Sequence, residues 1–116
     1  MNRYKDLIPS QILGKAVSDW EESVEWIAQG WDCIEEYTND LTCREGLDEI
    51  LADFPELLSP ELESRIAAAD QRFRDITFEI DYCAWIPGIF NVKPNEYDKV
   101  KHWYYFRWPN DAVGEV

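Results

Sequence analysis

The apolar positions between residues 17 and 34 recur at alternating steps of three and four, which is the spacing of one face of an α-helix. This stripe predicts a first amphipathic helix, with Ser18 and Glu21 forming a capping box in it or at its start. Gly30 is a weak point that can kink or split the helix, because glycine costs about 1 kcal/mol relative to alanine in a helix interior. The stripe consists of Val17, Trp20, Val24, Ile27, Trp31 and Ile34.

Two further helices are predicted by their start and stop signals. Thr42 is an N-cap candidate with Glu45 three residues later, and Pro55 ends the apolar stripe that follows. Ser59 is the N-cap candidate of the third helix, and Pro60 occupies the first helical position, where its missing N–H costs nothing. We expect this helix to end between residues 75 and 77. The two stripes are Leu47, Ile50, Leu51 and Phe54, and then Leu62, Ile66, Ala69, Phe73 and Ile76.

The pattern changes to an alternation of apolar and polar residues from about residue 76. It predicts one strand over 76–82 and a second over 100–108, with a loop between them. The alternative is a helix that starts at an Asn95 N-cap and continues through Tyr104. With the strand pair preferred, the predicted fold is a single domain over residues 1–116. It is mainly α, a three- to four-helix bundle with a C-terminal two-stranded antiparallel hairpin packed on it (α+β).

The segment 102–109 contains five large aromatic side chains in eight positions. Successive side chains of a strand lie on opposite faces, so both faces of this one would be apolar. The even-numbered aromatic residues can pack on the helices. Trp103 and Tyr105 then need a second cover, which we expect from Trp26 and Tyr37 or from a partner subunit.

The charge of the chain is strongly negative and unevenly distributed. The 116 residues carry 24 acidic and 11 basic side chains, for a net charge of -13. Residues 1–60 hold 14 acidic and 4 basic residues and thus most of that charge. Such a surface repels nucleic acid and anionic membranes and attracts basic proteins. With no signal peptide and no long apolar run, we expect a cytoplasmic protein that binds neither membrane nor nucleic acid.

No residue pattern identifies a reaction. The three cysteines, Cys33, Cys43 and Cys83, show no C-x-x-C spacing and predict neither a disulfide framework nor a zinc site. His102 is the single histidine and has no Ser-His-Asp pattern around it, and no glycine-rich phosphate loop is present. We therefore predict no catalytic residue, no metal ligand and no cofactor, and we do not favour an enzyme.

One carboxylate pattern supports an alternative. Glu22-Ser23-Val24-Glu25 and Glu45-Gly46-Leu47-Asp48 resemble the metal-binding pattern of all-α nucleotide pyrophosphatases of the MazG type. The resemblance implies Mg²⁺ held by four carboxylates from two facing helices. Helical projection, however, directs all four away from the shared core, whereas a magnesium site needs several oxygens that converge on one point. Whether the four carboxylates converge decides this alternative.

The same projection places acidic and polar side chains on one surface of the first helix, with no lysine or arginine between them. We call this surface the acidic ridge. A second apolar line runs beside it, and it would either pack against other elements or serve as a binding face. The ridge consists of Ser18, Glu21, Glu22, Glu25, Gln29, Asp32 and Glu36, and the line of Trp26, Cys33 and Tyr37.

The sequence thus predicts a small acidic protein-binding module. It would resemble inhibitors, immunity proteins or antitoxins that occupy the basic surface of a nucleic-acid-binding protein. The Mg²⁺-dependent pyrophosphatase and a homo-oligomer joined through the aromatic surface are the alternatives. The predicted binding residues are Glu21, Glu25, Asp32, Glu36, Trp26, Tyr37, Trp103 and Tyr105.

Overall fold

A computed structural model describes residues 9–30, 34–81, 84 and 97–110 of the chain. These residues are mainly helical, with three α-helices and a two-stranded antiparallel sheet. Two short 3₁₀ helices complete the fold. In chain order the elements are α1 (Pro9–Ala28), α2 (Ile34–Asp53), a 3₁₀ helix (Pro55–Leu57), α3 (Pro60–Asp75), β1 (Thr77–Glu79), a second 3₁₀ helix (Trp103–Phe106) and β2 (Arg107–Pro109).

Helix α1 buries the predicted stripe but has different ends. It begins at Pro9, where a proline is well tolerated, so Ser18 lies in its interior and does not start it. It ends at Ala28, and Gly30 adopts a φ of 111°, a conformation that favours glycine. Gly30 therefore terminates the helix, and Ile34 already belongs to α2. The buried apolar residues of α1 are Leu13, Ala16, Val17, Trp20, Val24 and Ile27.

Helix α2 begins earlier than predicted and buries a different face. Thr42 is not its N-cap, since it lies inside the helix and its hydroxyl donates to the Asn39 carbonyl at 2.6 Å. Arg44 is buried together with apolar neighbours, so the face of α2 that packs on the core contains a charged residue. A prediction based on apolar spacing does not assign a charged residue to that face. The end before Pro55 is confirmed. The buried positions of α2 include Tyr37, Thr38, Leu41, Arg44 and Leu47.

Helix α3 confirms its prediction at both ends. The Ser59 side chain accepts a hydrogen bond from the Leu62 N–H at 3.1 Å, and Pro60 is the first helical residue. The helix ends at Asp75. Acidic residues lie in its first turn and basic residues in its last, which complements the helix dipole. Local capping signals are thus sufficient to define this element.

The predicted antiparallel pairing is present but shorter than expected. Each strand has three residues, and Phe78 lies opposite Trp108. Residues 103–106 form a 3₁₀ helix, so neither the long strand nor the alternative α-helix through Tyr104 is correct. Because a 3₁₀ helix has three residues per turn, odd and even positions do not lie on opposite faces. Tyr104, Tyr105 and Phe106 are all buried.

The core lies where α1 packs against both α2 and α3. Trp20 of α1 and Phe73 of α3 contact each other with ring centroids 5.3 Å apart. Trp103 extends this cluster, with its ring 5.9 Å from that of Phe73. Among the described residues, no helix combines the length and the apolar character needed to cross a membrane.

Candidate functional site

A buried polar network joins the three α-helices. The Asp70 carboxylate of α3 accepts hydrogen bonds from Arg44 Nε at 2.9 Å and from Arg44 Nη2 at 3.0 Å. Trp20 Nε1 of α1 donates to the same carboxylate at 2.9 Å. Arg44 and Asp70 are each 8% exposed. Burial by itself lowers the pKa of Arg44, but the hydrogen bonds and charge contacts with Asp70 and Asp48 outweigh it. The net effect raises the pKa of Arg44, so the guanidinium stays charged.

The network continues into the C-terminal segment. Arg44 Nη1 donates to Asp48 at 2.6 Å, and the Tyr104 hydroxyl donates to the other oxygen of Asp48 at 2.9 Å. The Tyr105 hydroxyl donates to Glu45 at 2.7 Å. Burial and the neighbouring Asp48 charge raise the pKa of Tyr104. Glu45 and Asp48 therefore face residues 103–106, and the projection that directed them away from the core is wrong for α2.

Three of the four carboxylates of the pyrophosphatase pattern contact separate partners, and the fourth lines a cleft. Glu25 pairs with Arg72 of α3 at 3.2 Å, and Asp48 pairs with Arg44. Glu45 accepts the Tyr105 hydroxyl, while Glu22 lies in a cleft between α1 and α2. They do not converge on one point. Within the described part of the chain, no group of three or more His, Cys, Asp or Glu side chains could hold a metal ion.

Arginine side chains of α3 form ion pairs with the acidic ridge, which the spacing of residues along the first helix does not predict. Glu21 forms a two-point ion pair with Arg65, at 2.6 Å and 3.0 Å, and Glu25 pairs with Arg72. The hydrogen bond that Arg65 donates to Glu21 raises the pKa of Arg65. Glu36 belongs to α2, so the ridge does not extend along one helix. Asp32 and the Glu36 side chain lie outside the described residues.

Tyr37 is a core residue and not a surface anchor. It is fully buried, its hydroxyl donates to the Arg107 carbonyl at 2.7 Å, and burial raises its pKa. Its ring meets the Trp108 ring edge-on at 5.7 Å. Tyr37 therefore packs against the C-terminal segment. This agrees with the prediction that the apolar line packs against other elements, and not with a role as a binding face.

The same chain covers both Trp103 and Tyr105. The Arg74 guanidinium lies 4.0 Å from the centre of the Trp103 ring, and the Trp103 ring also contacts Phe73. Tyr105 is fully buried and packs against Tyr97, with ring centroids 4.7 Å apart. Trp26 lies at the surface, and Tyr37 packs against Trp108. Within one chain, Tyr105 is buried and Trp103 is half-buried.

Trp26 is the predicted aromatic binding residue with the largest exposure among those described, at 56%. It lines a cleft of about 400 Å³ between α1 and α2, which we call the acidic cleft. Carboxylates stand on both walls, and one of them, Asp19, pairs with Lys15 at 2.6 Å. The Ser23 hydroxyl donates to Cys43 Sγ at 3.3 Å. The lining residues are Asp19, Glu22, Ser23, Trp26, Asn39, Asp40, Thr42 and Cys43.

This arrangement of side chains suits a cationic group. Carboxylates form charge-assisted hydrogen bonds with ammonium and guanidinium groups, and a tryptophan face attracts a cation that lies over it. The sequence could indicate Trp26 and Glu22, which lie on the first predicted helix. It could not indicate Asp40, because the wall contributed by α2 depends on that helix starting well before Thr42.

Comparison with known proteins finds no matching family model, no matching curated protein and no matching solved structure.

Proposed function

We propose that this protein is a small acidic protein-binding module and that the acidic cleft is its contact surface for a basic protein. One observation carries the proposal, namely that Trp26 is 56% exposed in a cleft that also holds Asp19, Glu22 and Asp40. Tryptophan is enriched among the residues that dominate interface energies. Its exposure beside carboxylates supports a partner that presents lysine or arginine.

The distribution of charge supports the same partner. Both walls of the cleft belong to the first sixty residues, which contain 14 acidic and 4 basic side chains. Glu21 and Glu25 contribute less to this field than the sequence suggests, because Arg65 and Arg72 compensate them. A field of this kind accelerates association with a basic protein and makes the rate depend on salt.

The partner class that best fits is a nucleic-acid-binding protein. Such proteins carry lysine and arginine surfaces that contact phosphates, and a carboxylate surface can occupy them instead. The protein would then act as an inhibitor, in the manner of immunity proteins and antitoxins. This role requires no reaction at the cleft.

Affinity capture at two salt concentrations tests the proposal. The immobilised full chain is incubated with lysate at about 0.05 M salt and eluted at about 0.5 M, where charges interact only over a few Å. Identified basic partners are then purified, and their dissociation constants are measured against wild type and variants. We expect Trp26→Ala to weaken binding by about thirtyfold, which corresponds to about 2 kcal/mol for an interface anchor. Glu22→Gln should mainly slow association.

Two exposed residues elsewhere provide matched controls. Val100→Ala removes an apolar side chain that is 84% exposed, and Glu63→Gln removes a charge from an exposed site on α3. Neither residue lines the acidic cleft. Both controls should bind like wild type. Recovery of no basic protein, binding that ignores salt, or equal losses in controls and cleft variants would each contradict the proposal.

A further inference from the structure

The turn formed by residues 97–102 closes on the only histidine of the chain. The Asp98 N–H donates to His102 Nδ1 at 3.1 Å, and the His102 N–H donates to the Asp98 carbonyl at 2.7 Å. A ring nitrogen accepts a hydrogen bond only when it carries no proton. The turn therefore contains a neutral His102 with its proton on Nε2.

Asp98 stabilises the same turn through its carboxylate. Oδ1 accepts hydrogen bonds from the Val100 N–H at 2.7 Å and the Lys101 N–H at 3.4 Å. These backbone contacts lower the pKa of Asp98, so its carboxylate remains ionised across the range in which histidine titrates.

Charged groups from a second element face His102. Its side chain lines a cleft of about 190 Å³ against α2, opposite several carboxylates. The rings of Tyr97, Tyr104 and Tyr105 lie within 6.5 Å of its ring. The Arg44 guanidinium lies 5.6 Å from the centre of the Tyr104 ring. The charged groups around the cleft and the turn are Glu45, Asp48 and Glu49 of α2, Asp98, Lys99 and Lys101 of the turn, and Asp81, which pairs with Lys99 at 3.4 Å.

We propose that His102 is a pH-sensitive switch for this turn. A proton taken from solvent onto Nδ1 converts that nitrogen from an acceptor into a donor, which then opposes the Asp98 N–H. The hydrogen bond breaks, and the imidazolium turns towards the carboxylates of α2. Because residues 103–106 follow directly, the anchoring of the C-terminal aromatic segment changes with pH. This switch acts within one chain and does not depend on a basic partner.

Nuclear magnetic resonance on the full chain tests the switch. The ring signal of His102 and the amide signal of Asp98 are followed between about pH 5 and pH 8, the range in which histidine changes its charge. A single histidine makes the ring signal unambiguous. We expect both signals to change with the same midpoint, and the exchange protection of the Asp98 amide to fall about fivefold in acid, as for the loss of one hydrogen bond.

Three variants separate the switch from a general effect of pH. In His102→Asn the side-chain oxygen can accept the Asp98 N–H but does not titrate, so protection should persist and the acid step should disappear. His102→Ala should lose the protection at every pH. Lys101→Gln removes an adjacent charge and should retain the step. An Asp98 amide that stays constant while His102 titrates, or a step that persists in His102→Asn, would overturn the proposal.

Discussion

Replacing Asp70 with asparagine perturbs the network that joins the three helices. The Asp70 carboxylate accepts three hydrogen bonds, one from Trp20 and two from Arg44, at 2.9 to 3.0 Å. Asparagine has nearly the same shape but offers only one acceptor oxygen and no charge. Its amide N–H₂ would face a guanidinium N–H, so Arg44 would keep a buried donor without an acceptor.

The expected cost follows from what remains around Arg44. Removing one partner of a buried ion pair usually costs about 3–5 kcal/mol, because the other charge stays buried. Asp48 still lies 2.6 Å from Arg44 Nη1, so we expect the lower end, about 3 kcal/mol. The double variant Arg44→Met with Asp70→Leu removes both charges. It leaves mainly the Trp20 N–H without its acceptor, and it should lose no more than Asp70→Asn alone.

Urea unfolding followed by circular dichroism measures these differences in the free energy of unfolding. Glu63→Gln on the exposed side of α3 is the control and should stay within about 0.5 kcal/mol of wild type. If Asp70→Asn lost less than about 1 kcal/mol, the network would not hold a desolvated charge. A double variant that lost clearly more than Asp70→Asn would likewise refute the reasoning, since removing both charges should cost less than leaving one of them buried and unpaired.

Two other features give predictions for the same assay. Ser59→Ala removes the oxygen that accepts the Leu62 N–H and should cost about 1 kcal/mol; an unchanged midpoint would show that α3 does not depend on this cap. Burial raises the pKa of Tyr37 and Tyr104 above the ordinary 10.0, so above that pH the unfolded chain loses protons that the folded chain retains. Stability should then fall with rising pH by up to about 1.4 kcal/mol per pH unit for each phenol, and each Tyr→Phe variant should reduce that slope. Equal slopes would contradict the burial of these hydroxyls.

Helix α3 could be predicted from sequence because its signals are local. Ser59 and Pro60 determine its first turn, and the apolar spacing continues without interruption to Phe73. The buried face of α1 could be predicted in the same way, since Trp20 and Val24 lie on an apolar stripe of regular helical spacing. In both helices the pattern needs no information about the rest of the fold.

Helix α2 depends on contacts that are distant in sequence. Arg44 is buried because Asp70, on another helix, supplies its counter-charge, and no local pattern indicates this pairing. Thr42 has the residue type of an N-cap, yet its hydroxyl can also bond a carbonyl of its own helix and remain in the interior. A charged core position and a misplaced cap together shifted the predicted start of this helix.

The candidate site shows the same difference between features set by local spacing and features set by contacts distant in sequence. Trp26 and Tyr37 lie on one predicted line but belong to different helices, α1 and α2, so Trp26 is exposed whereas Tyr37 is buried against Trp108. The acidic ridge looked uncompensated because its cations come from α3 rather than from the same helix. Spacing indicates which residues share a surface, whereas packing decides what that surface faces.

The position of the second 3₁₀ helix has a consequence for synthesis. Tyr37, Asp48 and Phe73 all take partners from residues 103–108, which leave the ribosome after the three helices. At about 5–20 residues per second, the nascent helices wait several seconds with an apolar and charged face open to water. The docking of residues 103–108 can therefore only follow the synthesis of all three helices, and it covers side chains that those helices alone leave open to water.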